Sequence, residues 1–254
     1  MIIMEPIVTS DQPASRRDVV IWLFSLQAPA HARAMLAGLL SSDERARAAR
    51  FIHDLHRDRY IVAHGAMRCI LAETLGRAPE ELAFVSNAWG KPELAEAGAP
   101  FFNLSHTANL GALAIGWRCP IGVDVEQVRP VEPEVTRHTF SPAELAELSR
   151  LPRRDWLQGF YCCWTRKEAV IKALGLGLAQ PLDAFDVTLA PDAPPRLLRL
   201  AGQPDAPSRW QLVHFAPADD ILGAFAAPLS GHEISFRRWA PPDDLPGASG
   251  WAAR

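Results

Sequence analysis

The apolar residues of this chain arrive in short runs that Gly, Pro and Asn repeatedly interrupt, a pattern of many brief strands set among helices. Such runs stand at Val19–Leu26 (VVIWLFSL), Leu82–Val85, Phe101–Leu104, Leu110–Ile115 and Ile121–Val125, and again at Phe185–Leu189, Leu197–Leu200, Trp210–Phe215, Ile221–Ala226 and His232–Trp239. None approaches the ~20 apolar residues that span a bilayer. The opening MIIMEPIVTSDQPASRR has no basic region leading into an apolar run, so a cytoplasmic protein without membrane contact is expected.

Between the runs lie helical stretches with recognisable starts and stops. Ser41-Ser42-Asp43-Glu44 offers a capping box, and Glu44 to Leu75 reads as two helices broken near Phe51–Asp54, with Gly76 and Pro79 ending them. Ser141-Pro142-Ala143-Glu144 is a second cap, and a longer helix is expected over about Trp156–Leu174 before Gly175. The expected fold is therefore α+β, in two units meeting near Gly116–Pro120: residues 1–118, residues 119–240, and a loosely ordered tail over 241–254. No repeated sequence relates the two units. A length of 254 residues, 48% of them hydrophobic, suffices for one large core or two modest ones. Cys69, Cys119, Cys162 and Cys163 lack CxxC spacing and are expected as reduced, buried thiols. The net charge of −3 gives no global field for nucleic acid, so an anion site must be a local cluster of basic side chains.

Four stretches carry chemistry. In Ile121-Gly122-Val123-Asp124-Val125-Glu126 two carboxylates two residues apart share one face of an apolar strand. They repel each other and cost desolvation unless a cation or basic partners compensate them; a hard metal such as magnesium would do so, and the other reading has both acids pointing to solvent. In Trp164-Thr165-Arg166-Lys167-Glu168-Ala169-Val170-Ile171-Lys172, Glu168 and Lys172 stand at i,i+4. That spacing suits an exposed helical ion pair. Trp164, one turn before Glu168, argues instead for a partly covered face where a carboxylate and an ammonium could meet a metal-bound phosphate. Phe102-Asn103-Leu104-Ser105-His106-Thr107 is a strand running into a polar turn able to hold phosphate, or a turn whose histidine is simply structural. Arg45, Arg47, Arg50, Arg57 and Arg59, with Gly90-Lys91-Pro92 further on, form a basic set that on any ordinary helix would decorate a solvated face.

Taken in order over Gly90–Gly175, the GKP turn, FNLSH, GVDVE and WTRKEAVIKALG resemble the Sfp-type phosphopantetheinyl transferases. A weaker similarity reaches back to Ser42-Asp43-Glu44-Arg45 through Phe51 and forward through Pro181–Phe185. The resemblance implies two similar α/β halves related by a pseudo-twofold axis, with the active site in the cleft between them. It implies transfer of 4'-phosphopantetheine from coenzyme A to a serine of an apo acyl or peptidyl carrier protein, with magnesium as cofactor, by a monomer. Asp124, Glu126 and Glu168 would then ligate magnesium, and Lys172 would contact the pyrophosphate. Ser105 and His106 would hold the nucleotide's phosphates, and Lys91, Arg47 and Arg59 the 3'-phosphate side of coenzyme A. Glu168 and Lys172 are the catalytic candidates. Arg47 stands where the family frequently has lysine, and Glu144 falls where an acid near the active site is common, although its place in a capping box is a sufficient account. The other readings are a magnesium-dependent phosphohydrolase, with water replacing the serine, and a non-catalytic module that binds coenzyme A or a carrier protein.

Overall fold

The computed structural model describes residues 18–132, 136 and 139–242. Strand β1 (Asp18–Ser25) opens the fold, followed by helices α1 (Ala30–Leu39), α2 (Ser42–Ala48) and α3 (Asp54–Leu75). A hairpin of β2 (Phe84–Ser86) and β3 (Pro92–Leu94) leads to β4 (Phe101–Thr107), β5 (Leu110–Gly116) and β6 (Gly122–Gln127). Helices α4 (Pro142–Arg150) and α5 (Arg153–Leu174) come next. Strands β7 (Phe185–Val187) and β8 (Leu197–Leu200), the single turn α6 (Ala206–Arg209), β9 (Gln211–Ala218), β10 (Ile221–Ala227) and β11 (Glu233–Trp239) complete the chain. The break near Phe51–Asp54 and both capping boxes are present, with Ser41 and Glu44 closing one and Ser141 and Glu144 the other. Helix α1 was not anticipated, because its N-terminus at Pro29 has no side-chain cap to announce it.

The fold is mixed α+β. Four strands form one sheet in the order β11-β1-β5-β4, and three form another in the order β6-β10-β9. By chain position β11 falls within residues 119–240, yet it pairs in parallel with β1 from Asp18↔Glu233 to Phe24↔Trp239. Sheet membership therefore does not follow the order of the chain. Strand β1 is apolar on both faces because both are covered. Val19, Ile21 and Leu23 join Val123, Val125, Phe215 and Phe225 in a core shared by the two sheets, while Phe24 packs with α1 and α3. A third cluster surrounds α5 and β7–β10. Among the described residues no helix is long and apolar enough to cross a membrane. Cys69, Cys162 and Cys163 are buried free thiols, but Cys119 is only partly covered, a departure from the expectation, since it sits in the turn after β5 beside Arg118. Apart from residues 241 and 242, the expected loose tail lies outside the described residues.

Between the two sheets β4 and β6 share no backbone ladder. Instead Asn103 Oδ1 accepts from the Val123 amide at 2.8 Å, Ser105 Oγ from the Val125 amide at 3.3 Å and Thr107 Oγ1 from the Gln127 amide at 3.1 Å. Alternate side chains of one strand thus satisfy amides that the other cannot leave buried and unpaired.

Candidate active site

Gly122, Asp124 and Glu126 share the face of β6 that lies on α5. The contact is so close that a Cβ at Gly122 would fall 2.0 Å from the Ala169 carbonyl oxygen and 2.5 Å from the Ala173 amide nitrogen. Only glycine permits this approach, and it brings the two strand acids against the helix carrying Glu168 and Lys172. Helix α5 stops at Gly175, whose φ of 70° is the left-handed conformation that closes a helix.

The side chains meet at Asp124, which is 3% exposed. Lys172 Nζ reaches Asp124 Oδ1 at 2.6 Å and donates to Ser105 Oγ at 2.9 Å, while the Ser105 hydroxyl donates to the same Asp124 oxygen at 3.0 Å. The solvated Glu168–Lys172 pair is thus replaced by a bridge from helix to strand. Glu126 is held from two sides, by Thr107 Oγ1 donating to Oε2 at 3.2 Å and Trp164 Nε1 donating to Oε1 at 3.4 Å. Burial, and next the negative charge of Asp124, push the carboxyls of both Glu126 and Glu168 above the ordinary range. Lys172 opposes this at both.

The expected metal ligands can be tested against this arrangement. Asp124 Oδ2 is buried without a hydrogen-bond partner, and the charge of Asp124 helps raise both Glu126 and Glu168, so an oxygen-seeking cation would relieve both costs. The donor chemistry fits magnesium. Among the described residues, however, no group of three or more His, Cys, Asp or Glu side chains is already gathered for a metal ion.

A cleft of about 450 Å³ opens beside this junction, walled on one side by Trp89, Lys91 and Asn103 and on the other by Glu168, Lys172 and Leu182. The turn of the β2–β3 hairpin is tied to the end of α5. Asn87 Nδ2 donates to the Gly175 carbonyl at 2.9 Å, and Lys91 Nζ donates to the carbonyls of Lys172 at 2.6 Å and Ile121 at 2.9 Å. Burial lowers the Lys91 ammonium to about 8.

The basic residues divide. His106 is exposed on β4, its pKa lowered first by partial burial and then by the neighbouring His64, Lys172 and Arg59. Arg59 Nη2 donates to Asn109 Oδ1 at 2.8 Å, while its Nε is buried without a partner. Arg47 is exposed, with its guanidinium 5.7 Å from the Tyr60 ring centroid, and Tyr60 stacks on His64 at 4.0 Å. Arg57 is paired with Asp54 and Asp58, and Arg45 with the Leu40 carbonyl. Glu144 completes its capping box and accepts two bonds from buried Lys167, at 2.9 and 2.7 Å. Asn103 and Thr107 carry no role in the sequence reading of Phe102–Thr107, because residues 105–107 are expected there to form a polar turn, whereas they continue β4 in its pairing with β5. Their signal was present as polar residues at 103, 105 and 107 alternating with Phe102 and Leu104.

Comparison with known proteins places this geometry. A family model for the 4'-phosphopantetheinyl transferase superfamily matches residues 120–227, which contain the acids and α5. The 4'-phosphopantetheinyl transferase HetI of Nostoc sp. is 36% identical over 225 residues, covering 86% of this chain and 91% of that protein. The chain belongs to the 4'-phosphopantetheinyl transferase superfamily. A further superfamily relative, a 4'-phosphopantetheinyl transferase of Bacillus subtilis, is 31% identical over 60% of this chain and 68% of its own length. The Sfp transferase of Bacillus subtilis (strain 168) is 29% identical over the same shares. Among solved structures, the holo-[acyl-carrier-protein] synthase of Thermotoga maritima overlaps 42% of this chain and 61% of its own, with a TM-score of 0.33 and 21% identity.

Proposed function

We propose that this superfamily member transfers the 4'-phosphopantetheine group of coenzyme A to a serine of an apo acyl or peptidyl carrier protein. The observation that carries the reading is the meeting of Lys172, Ser105 and Asp124 beside the cleft, with one Asp124 oxygen left unsatisfied. The serine oxygen forms a bond to the pantetheine-side phosphorus. The bond from that phosphorus to the bridging oxygen breaks, adenosine 3',5'-bisphosphate leaves, and the serine proton passes to Glu168. Lys172 stabilises charge that grows on the phosphate oxygens, a role that requires placement more than covalent participation. Magnesium, held by Asp124, Glu126 and Glu168, would neutralise the pyrophosphate.

The remaining substrate contacts are assigned by charge and position. His106 and Arg59, with its unpaired Nε, take the phosphates of coenzyme A, and exposed Arg47 extends that surface. Lys91 spends two of its three donors on carbonyls and retains one for the ligand while holding the cleft wall. Ser105, 5% exposed, acts mainly by orienting Lys172 and Asp124. Two similar α/β halves, residues 1–118 and 119–240, related by a pseudo-twofold axis, account for walls drawn from both parts of the chain. A cytoplasmic monomer suits a chain whose described cysteines are free thiols.

Incubation with coenzyme A, magnesium and a panel of apo carrier proteins, read by mass spectrometry, tests the reading. A carrier should gain one phosphopantetheine, and Asp124→Ala or Glu168→Ala should abolish nearly all of it in a folded protein. Near-normal turnover with unchanged magnesium dependence in either variant overturns the metal assignment. Phosphopantetheine released with no carrier modified would establish hydrolysis instead.

A further inference from the structure

The three rungs between β4 and β6 differ in a way that follows the chemistry. Each β4 side chain accepts from one β6 amide, at Val123, Val125 and Gln127, and the residue preceding each amide lies on the α5 face: Gly122, Asp124 and Glu126. An amide side chain, Asn103, stands at the rung with no acid. Hydroxyls stand at the two rungs with one, and each donates to the carboxylate beside it, Ser105 to Asp124 and Thr107 to Glu126. A rung needed only to satisfy an amide would have no use for that second bond. Glu126 is further distinguished because its other oxygen is held from α5 by Trp164. Its carboxylate is thus fixed between a strand of the first sheet and the helix carrying Glu168.

We propose that Thr107 is a positioning residue for Glu126, its hydroxyl setting the carboxylate's orientation while the hydrogen bond it accepts from the Gln127 amide fixes the register of β4 against β6. The proposal rests on the reading of Glu126 as part of the transferase site. A partner of this kind, one step removed from a ligating group, typically contributes 10–100-fold to metal affinity or activity.

Thr107→Val keeps the shape and removes the hydroxyl, whereas Thr107→Ser keeps the hydroxyl. In the carrier assay, Thr107→Val should lower kcat by about tenfold or more with the KM for coenzyme A within about twofold of wild type. Thr107→Ser should retain at least about half of wild-type kcat, the hydroxyl being what matters. Manganese alone, followed through its free-ion electron spin resonance signal, should bind about tenfold or more weakly to Thr107→Val. This binding readout requires no turnover, so a wild-type protein that modifies no carrier would defeat the transferase reading while leaving Thr107 testable. Wild-type kcat and manganese affinity in Thr107→Val would overturn the proposal. So would a Thr107→Ser variant as impaired as Thr107→Val, or losses that merely track the folded fraction in a thermal melt.

Discussion

Helices α3 and α5 are anchored by the same device used twice, and only α5 carries the residues proposed for catalysis. In the first region Glu44 closes the capping box of α2 and accepts from Arg68 of α3 at 2.8 Å, while the Arg68 guanidinium lies 4.9 Å from the Phe84 ring. In the second, Glu144 closes the box of α4 and accepts from Lys167 of α5, whose ammonium lies 4.3 Å from the Phe185 ring. Arg68 and Lys167 occupy the same place in two 22-residue helices, each ended by a left-handed glycine. One residue beyond the anchor α3 has Cys69 and α5 has Glu168; five beyond, α3 has Glu73 and α5 has Lys172. The anchor is thus a structural part common to both helices, whereas Glu168 and Lys172 have no counterpart of the same type on α3.

The pairs also differ in enclosure. Lys167 and Glu144 side chains are 0% and 2% exposed, whereas Glu44 is 14% exposed and shares its oxygens with His64 and the Ser41 amide. Lys167→Ala should therefore be the largest disruption, about 3–5 kcal/mol, because it removes the cation paired with a carboxylate closed off from water, leaving it the neutral amides of Ser141 and Val187. Arg68→Ala should cost about 1–3 kcal/mol, since Glu44 keeps some contact with water and its His64 partner. Equal losses in denaturant unfolding would show that enclosure does not set the difference.

Lys172→Ala sharpens the functional half of the comparison. Turnover should fall by about 10²-fold, equivalent to about 2.7 kcal/mol, with coenzyme A affinity less affected. Glu73→Ala, at the matching place on α3, should leave steady-state kinetics unchanged. A folded Lys172→Ala enzyme with wild-type turnover would reduce Lys172 to a structural partner of Asp124.

The smallest effect concerns pH. Burial alone would raise the Glu44 carboxyl, but hydrogen bonds from His64 and the Ser41 amide and the charge of Arg68 outweigh it and hold the group at about 2 instead of 4.5. A depressed folded pKa contributes stability that is complete above the unfolded value and is lost as pH falls from about 4.5 toward 2. Glu44→Gln should flatten that part of the stability profile in acid titrations followed by circular dichroism. An unchanged acid limb would place the dependence on other carboxylates.

Local signals made much of this legible in advance. Both capping boxes, the break before α3 and the stop at Gly175 were readable because a cap is a contact within a few residues. The acids of β6 were readable because charge on an apolar strand demands an explanation. What escaped were pairings set by distant chain: Lys172 with Asp124 across 48 positions, where the i,i+4 pattern offered Glu168, and β11 beside β1. The repeated anchor escaped for a related reason. Arginine in one copy and lysine in the other hide a shared role that appears only when both reach a capping glutamate and a phenylalanine ring.

The parallel pairing of β1 with β11 also constrains the order in which the chain can be built. During synthesis β1 emerges before its partner β5, which follows with β4 on its far side within about the first half of the chain. Its other edge waits for Glu233–Trp239. Until those residues leave the ribosome, an apolar strand presents a row of open amides and carbonyls, the template on which neighbouring chains pair and precipitate. A chain cut short before residue 233 would keep that edge permanently, whatever the state of its active-site residues. Expression and recovery of this protein therefore depend on its last described strand as much as on its core.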